Sequence, residues 1–166
     1  MRSPFKTLDK SFEIKRLTIA ALIAAVYAAV TMLLQAISYG PIQMRVSEAL
    51  TLLPILFPEA VPGLFVGCLI ANLISAYGLP DIIFGSLATL AAAMLTRRLR
   101  KNMWLAALPP VLINAVFVGI LLRVQINAPL LPTMFTVGVG EAVSVYALGI
   151  AMILGLRKLS PLLARA

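Results

Sequence analysis

The chain has 166 residues, of which 61% are hydrophobic and 12% charged, and its mean hydropathy is +1.02. An apolar fraction this high exceeds that of soluble domains and predicts an integral membrane protein. The formal net charge of +8 comes from basic residues clustered between apolar runs, a pattern that marks membrane topology and not a nucleic-acid-binding face. With no His and a single Cys68 in an apolar run, we expect no disulfide, metal site or cofactor.

Apolar segments of membrane length occur at residues 17–37, 81–96, 104–122 and 131–156. The region 47–77 carries three prolines and is too long for one crossing but short for two. We interpret it as two helices, 46–57 and 60–77, which turn at Phe57-Pro58-Glu59. The first of them is short and is kinked by its internal proline.

The basic residues favour two passes in this region. The termini then share one side, and twelve of the 14 Lys and Arg residues become cytoplasmic: Arg2, Lys6, Lys10, Lys15, Arg16, Arg97, Arg98, Arg100, Lys101, Arg157, Lys158 and Arg165. The sequence therefore predicts an all-α integral membrane protein with six transmembrane helices and both termini cytoplasmic. A basic N-terminus (1–16) and a basic C-terminus (157–166) flank the membrane domain (17–156).

Six polar residues interrupt the apolar segments, and the predicted topology places all of them at mid-depth or nearer the outer face. They are Arg45, Glu48, Asn72, Asp81, Asn114 and Glu141. An ionisable group in hydrocarbon costs about 2.5–3.5 kcal/mol on insertion scales, so such groups tend to line a cavity. The one-sided cluster predicts a solute-binding pocket open to one compartment.

Each of these residues also has a purely structural interpretation. Arg45 and Glu48 are three residues apart and can form an ion pair at a helix start. Asp81 can stabilise a helix N-terminus, and Asn72 and Asn114 can join helices by hydrogen bonds, which is the favoured reading for Asn72. Glu141 has no basic neighbour within one turn, so a ligand contact is favoured there.

Small residues recur every fourth position on two of the predicted helices, which permits close helix packing. Ala21, Ala25 and Ala29 form an alanine row on the first helix, and Gly63, Gly67 and Ala71 form a glycine row on the third. We assign the glycine row to packing inside the monomer.

No nucleotide-binding loop and no protease or esterase motif is present, so the chain is not expected to be an enzyme. Three classes of function remain: a solute-binding subunit of an ATP-driven importer, a stand-alone ion-coupled transporter of a small cationic solute, and an assembly or structural membrane protein. A carboxylate pair such as Glu48 and Glu141 would allow the second class to exchange protons.

Long segments of the chain resemble the QueT family, which comprises substrate-binding S components of energy-coupling factor (ECF) transporters for queuosine precursors. The resemblance is carried by residues 42–51, 62–73 and 81–90, and it continues through Asn114 and Gly140-Glu141-Ala142. It implies six helices with cytoplasmic termini in a prokaryotic plasma membrane, capture of solute from outside, and toppling in the membrane to release it.

The resemblance also implies partners and a ligand. S components assemble with a coupling membrane protein and two ATPases, and the AxxxA motif of the first helix docks the coupling protein, which here matches the alanine row. The ligand would be a 7-deazaguanine, whose guanine-like edge suits a carboxylate and an amide. Glu48, Glu141 and Asp81 are the candidate acids, with Arg45 across the mouth. For stacking the candidates are Tyr39, Tyr77, Phe84, Phe117 and Tyr146, with no choice among them.

Overall fold

The computed structural model describes residues 4–38, 44–75 and 77–163, and every regular element within these ranges is helical. In chain order the elements are α1 (Pro4–Leu33), a short α2 (Gln35–Ser38), a 3₁₀ helix (Val46–Ile55), α3 (Ala60–Asn72), α4 (Gly78–Arg98), α5 (Met103–Ile126) and α6 (residues 130–163). The predicted all-α class is confirmed for this part of the chain. Arg2, Tyr39 and Arg165, which entered the predictions above, lie outside the described residues.

Four of the described helices are long and apolar enough to cross a membrane. They are Lys10–Leu33, Gly78–Arg98, Met103–Ile126 and Leu130–Leu159. The 3₁₀ helix and α3 are apolar but shorter. The count of six crossings and the side on which the termini lie therefore stay predictions.

Two helix ends differ from the predicted spans. α1 stops at Leu33 and the chain turns before α2, whereas the sequence predicts one helix to residue 37. α3 stops at Asn72 instead of residue 77. In the turn that follows, the Tyr77 backbone N–H donates a 3.2 Å hydrogen bond to Ser75 Oγ. Gly78 then adopts a φ of +65°, which suits glycine because it has no Cβ.

The 3₁₀ helix lies at the centre of the molecule, where it packs against α1, α4 and the middle of α6. Eight of its ten residues are buried. Pro54 lies inside it, and Arg97 Nη1 of α4 donates a 2.8 Å hydrogen bond to the Pro54 carbonyl oxygen. Ten residues at about 2.0 Å each reach about 20 Å, less than a hydrocarbon core of about 30 Å. Such a segment is tolerated at membrane depth only because protein surrounds it.

α1 and α3 pack in direct contact along the glycine row. A Cβ placed on Gly63 would lie 2.6 Å from the Ala20 carbonyl oxygen, and one on Gly67 would lie 2.8 Å from the Ala24 carbonyl oxygen. No side chain larger than hydrogen fits these contacts without a shift. The assignment of the glycine row to packing inside the monomer is confirmed.

Candidate functional site

Each of the three acids predicted to bind solute lies in or next to an irregular stretch of helix. Glu48 is in the 3₁₀ helix, Asp81 begins a π-helical segment of α4 (Asp81–Gly85), and Glu141 lies two residues before a second π-helical segment in α6 (Val143–Gly149). π-Helical turns are rare and frequently mark functional sites. The backbone thus departs from the α-helix at Glu48 and Asp81 and two residues after Glu141.

The Glu48 carboxyl is held by a residue of another helix. Its Oε1 accepts a hydrogen bond from the hydroxyl of Tyr27 on α1. Its Oε2 is buried and makes no hydrogen bond to the part of the chain that the structure describes. Glu48 also interacts with the Asn114 side chain of α5 and with the Arg45 guanidinium just before the 3₁₀ helix. Tyr27 therefore holds one oxygen of the carboxyl, and the carboxyl as a whole also interacts with Asn114 and Arg45.

Glu141 reaches the same place from α6. It interacts with the Asn114 side chain and, electrostatically, with Glu48 and Arg45. Its Oε2 is buried and, among the described residues, has no hydrogen-bond partner. Asn114 thus lies between two carboxyls from different helices, and its amide group can both donate and accept.

Asp81 and Asn72 extend the cluster towards α3 and α4. Arg45 Nη2 lies 3.8 Å from Asp81 Oδ2, and Asn72 Nδ2 donates a 3.0 Å hydrogen bond to the Asp81 carbonyl oxygen. A Cβ on Gly85 would lie 2.9 Å from both Asn72 Nδ2 and Asp81 Oδ1. Only glycine at position 85 leaves room for this arrangement.

The structure therefore brings all six predicted site residues into one group, which we call the polar cluster: Arg45, Glu48, Asn72, Asp81, Asn114 and Glu141. Asn72 joins α3 to α4 by a hydrogen bond, as its structural interpretation predicts. Asp81 does not cap a helix, because α4 begins at Gly78 and the Asp81 side chain makes no capping bond; it lies three residues after that start, so the helix-dipole role considered for its charge stays a prediction. That these residues bind a solute stays a prediction.

The prediction of a pocket open to one compartment is wrong for this conformation. No member of the polar cluster is more than 6% exposed. A cavity of about 10 Å³ beside Asp81 is the size of a single water molecule, and Phe84 and Phe117 help to line it. The cluster is closed because the surrounding helices bury all six side chains, which a polar pattern in the sequence does not reveal.

Sequence reasoning missed several members of this region. Tyr27 is fully buried on α1, although it is absent from the aromatic residues considered for stacking. Cys68 is buried as predicted, yet its sulfur accepts a 3.3 Å hydrogen bond from Thr89 Oγ1 and lies 3.5 Å from Asn72 Nδ2. Tyr146, one of the stacking candidates, stacks on Trp104 instead. The sequence did contain a signal for Tyr27, because its hydroxyl lies on an otherwise apolar helix face and a buried tyrosine hydroxyl usually has a hydrogen-bond partner.

No group of His, Cys, Asp and Glu among the described residues is arranged to hold a metal ion.

The model of the QueT transporter family matches residues 17–158. The chain belongs to the QueT transporter family. A curated relative, the queuosine precursor transporter QueT of Lactococcus lactis subsp. cremoris (strain MG1363), is 43% identical over 72 residues, a match that spans 42% of each chain. No solved structure matches the chain.

Membership of the QueT transporter family, together with the four apolar helices, makes the protein a multi-pass membrane protein of the prokaryotic cell membrane. Of the three classes of function that the residues leave open, membership of a transporter family supports the two that move a solute.

Proposed function

We propose that this QueT transporter family member is the substrate-binding S component of an ECF importer and captures a queuosine precursor of the 7-deazaguanine type from outside. It would span the membrane six times, with both termini in the cytoplasm. ATP would be consumed by two partner ATPases, which act through a coupling membrane protein.

One observation carries the proposal of a ligand site. Glu48 Oε2, Asp81 Oδ2 and Glu141 Oε2 come from three different helices, are buried, and make no hydrogen bond to the described part of the chain. A buried carboxylate oxygen without a donor is costly, by about 1–3 kcal/mol or more. Asp81 Oδ2 already has the Arg45 guanidinium 3.8 Å away, so a ligand with several N–H donors would remove that cost chiefly for Glu48 and Glu141.

A 7-deazaguanine supplies donors in the required pattern. Its ring N–H and amino group lie side by side, so one carboxylate can accept both in bidentate fashion. Glu141 suits this role, and the neighbouring Asn114 amide can pair with the ring carbonyl. A precursor with an aminomethyl cation would find a second acid in Glu48 or Asp81. Because only about 10 Å³ is open beside Asp81, binding requires the helices around the polar cluster to move apart.

The surface of α1 supports docking of a coupling protein. Ala21, Ala25 and Ala29 are exposed, while Ala24 and Ala28 between them are buried and face the rest of the molecule. The alanine row is thus not used for packing among the described residues. A groove of about 820 Å³ between α1 and α3 begins beside Ala21, at the end of α1 that the proposed topology places in the cytoplasm.

A stand-alone ion-coupled transporter is the second candidate, and the interaction between the Glu48 and Glu141 carboxyls favours it. Two acids that interact electrostatically can share or release protons as a cationic solute binds. This candidate needs neither the alanine row nor any ATPase.

Two measurements on the purified protein decide between these candidates. Guanine, 7-deazaguanine, its aminomethyl derivative and queuine are titrated into the detergent-solubilised wild type, and the proteins that co-purify with it are identified. Submicromolar binding of a deazaguanine with recovery of two ATPases and a membrane protein supports the S component. Uptake by the chain alone in vesicles, driven by a proton gradient, would replace it with the second candidate.

A further inference from the structure

The hydroxyl group of Tyr27 connects α1 to the polar cluster by a hydrogen bond. Its side chain is fully buried on the inner face of α1, and its hydroxyl donates a hydrogen bond to Glu48 Oε1. The approach of α1 to α3 at Gly67 makes this possible, since a Cβ there would lie 2.9 Å from the Tyr27 Cβ. The sequence separation between Tyr27 and Glu48 is 21 residues, so the bond is a tertiary one.

We infer that Tyr27 is a positioning residue for solute binding: it fixes the Glu48 carboxyl so that Oε2 faces the ligand. A glutamate has three rotatable side-chain bonds, and its carboxyl would otherwise sample several orientations at an entropic cost. The hydroxyl of Tyr27 engages one oxygen, and the other is the buried Oε2 that makes no hydrogen bond to the described residues. A ligand then meets an acceptor that is already oriented.

A second contact between the same two elements makes the inference testable. Thr31, one turn after Tyr27 on α1, has its Oγ1 2.6 Å from Ser47 Oγ of the 3₁₀ helix and 2.8 Å from the Tyr27 carbonyl oxygen. This contact also holds the 3₁₀ helix against α1, and its hydrogen bonds go to Ser47 and to the Tyr27 backbone instead of the Glu48 carboxyl. Loss of the Thr31 hydroxyl therefore loosens the same interface without freeing the carboxyl.

The alternative is that Tyr27 only fills the core. Its ring packs in the main apolar cluster with Leu64 and Cys68, and a Phe at position 27 would keep that packing. If packing were the whole role, Tyr27→Phe would alter thermal stability at most, and the folded protein would bind solute as the wild type does.

The test measures affinity and thermal stability separately in three purified variants, and it rests on the proposed function because its probe is the deazaguanine that binds the wild type. Tyr27→Phe is the test variant. Tyr146→Phe is the matched control, because its hydroxyl donates a 3.1 Å hydrogen bond to the Trp104 carbonyl oxygen outside the polar cluster. Thr31→Val controls for loosening of the α1 interface.

We expect Tyr27→Phe to raise Kd about tenfold or more, as loss of a hydrogen bond to a charged group does, while both controls stay within about twofold of the wild type. An unchanged Kd in Tyr27→Phe with a lowered Tm would assign Tyr27 to packing alone and overturn the inference. An equal rise in Thr31→Val would overturn it as well. A wild type that binds none of the four compounds would refute the proposed function itself, and the positioning role with it.

Discussion

Arg45 and Asp81 form an ion pair with 3.8 Å between Nη2 and Oδ2, and at most 8% of either side chain is exposed. Arg45 precedes the 3₁₀ helix and Asp81 lies in α4, so this ion pair connects the start of the 3₁₀ helix to α4. Because Arg45 also interacts with Glu48 and Glu141, it is the positive charge around which the three acids are arranged.

Replacing Asp81 by Asn is expected to lower the free energy of unfolding by about 2 kcal/mol, because a buried charge then faces one acid fewer. Chemical denaturation of the detergent-solubilised protein measures this. The control is Glu59→Gln, which breaks the 2.8 Å pair with Arg16, a side chain that is 52% exposed. An exposed pair contributes about 1 kcal/mol or less. Equal losses in the two variants would contradict a structural role for the Arg45–Asp81 pair.

The contact between α1 and α3 gives a steric prediction. Gly67→Ala places a Cβ 2.8 Å from the Ala24 carbonyl oxygen, so we expect a loss of about 1–3 kcal/mol of stability. Gly155→Ala is the matched control, since a Cβ there meets nothing within 4 Å. That variant should be neutral or more stable by about 0.5–1 kcal/mol. Thermal unfolding of the two proteins side by side tests the difference, and a tolerated Gly67→Ala would refute the close approach.

The sequence predicts the members of the polar cluster because an acid or amide in an apolar segment is conspicuous. Glu48, Asn114 and Glu141 come together although 93 residues separate the first from the last. The closed state is not predictable in this way, because it depends on how the helices around the cluster pack. Tyr27 is missed for a related reason: its hydroxyl is a weak signal on an apolar helix, and the sequence does not show that its partner is Glu48.

The irregular helices also escape a reading of the sequence. Val46–Ile55 has the composition of an ordinary apolar helix, and Pro54 predicts a kink. The observed 3₁₀ geometry depends on tertiary contacts, such as the hydrogen bond that Arg97 donates to the Pro54 carbonyl oxygen from 43 residues away. Helix type at such a site is decided by its neighbours and not by local propensity.

A double mutant tests whether Glu48 and Asn114 serve one ligand. Alanine at either position should weaken solute binding, and the two losses should not add, because both side chains contact the same molecule. Isothermal titration of the two single variants and the double variant provides the comparison. Asn102→Ala is the control: it removes the cap that accepts hydrogen bonds from the Trp104 and Leu105 amides, so it should cost about 1 kcal/mol of stability without changing Kd. Strictly additive losses would remove the pair from a shared site.

A substitution in the alanine row can distinguish solute binding from transport. Ala25→Trp should block close approach of a partner helix while leaving the buried polar cluster intact, because Ala25 is exposed on α1. Solute binding by the isolated protein should survive, and uptake by cells and recovery of the ATPases should both fall. Ala91→Trp, on the exposed side of α4, is the matched control and should transport normally. Normal transport by Ala25→Trp would show that the alanine row is not a docking surface.

The most direct test of a deazaguanine site is the affinity of Glu141→Gln for the deazaguanine that binds the wild type, measured together with Tm. Glu141 is buried in the polar cluster. A glutamine there keeps the shape of the side chain but replaces one of the two carboxylate oxygen acceptors with an NH₂ donor. The control is Glu13→Gln on the exposed surface of α1, which should bind as the wild type does. We predict that Glu141→Gln raises Kd by at least about tenfold with little change in Tm. An unchanged Kd accompanied by a collapse of Tm would contradict the assignment and make Glu141 a structural residue.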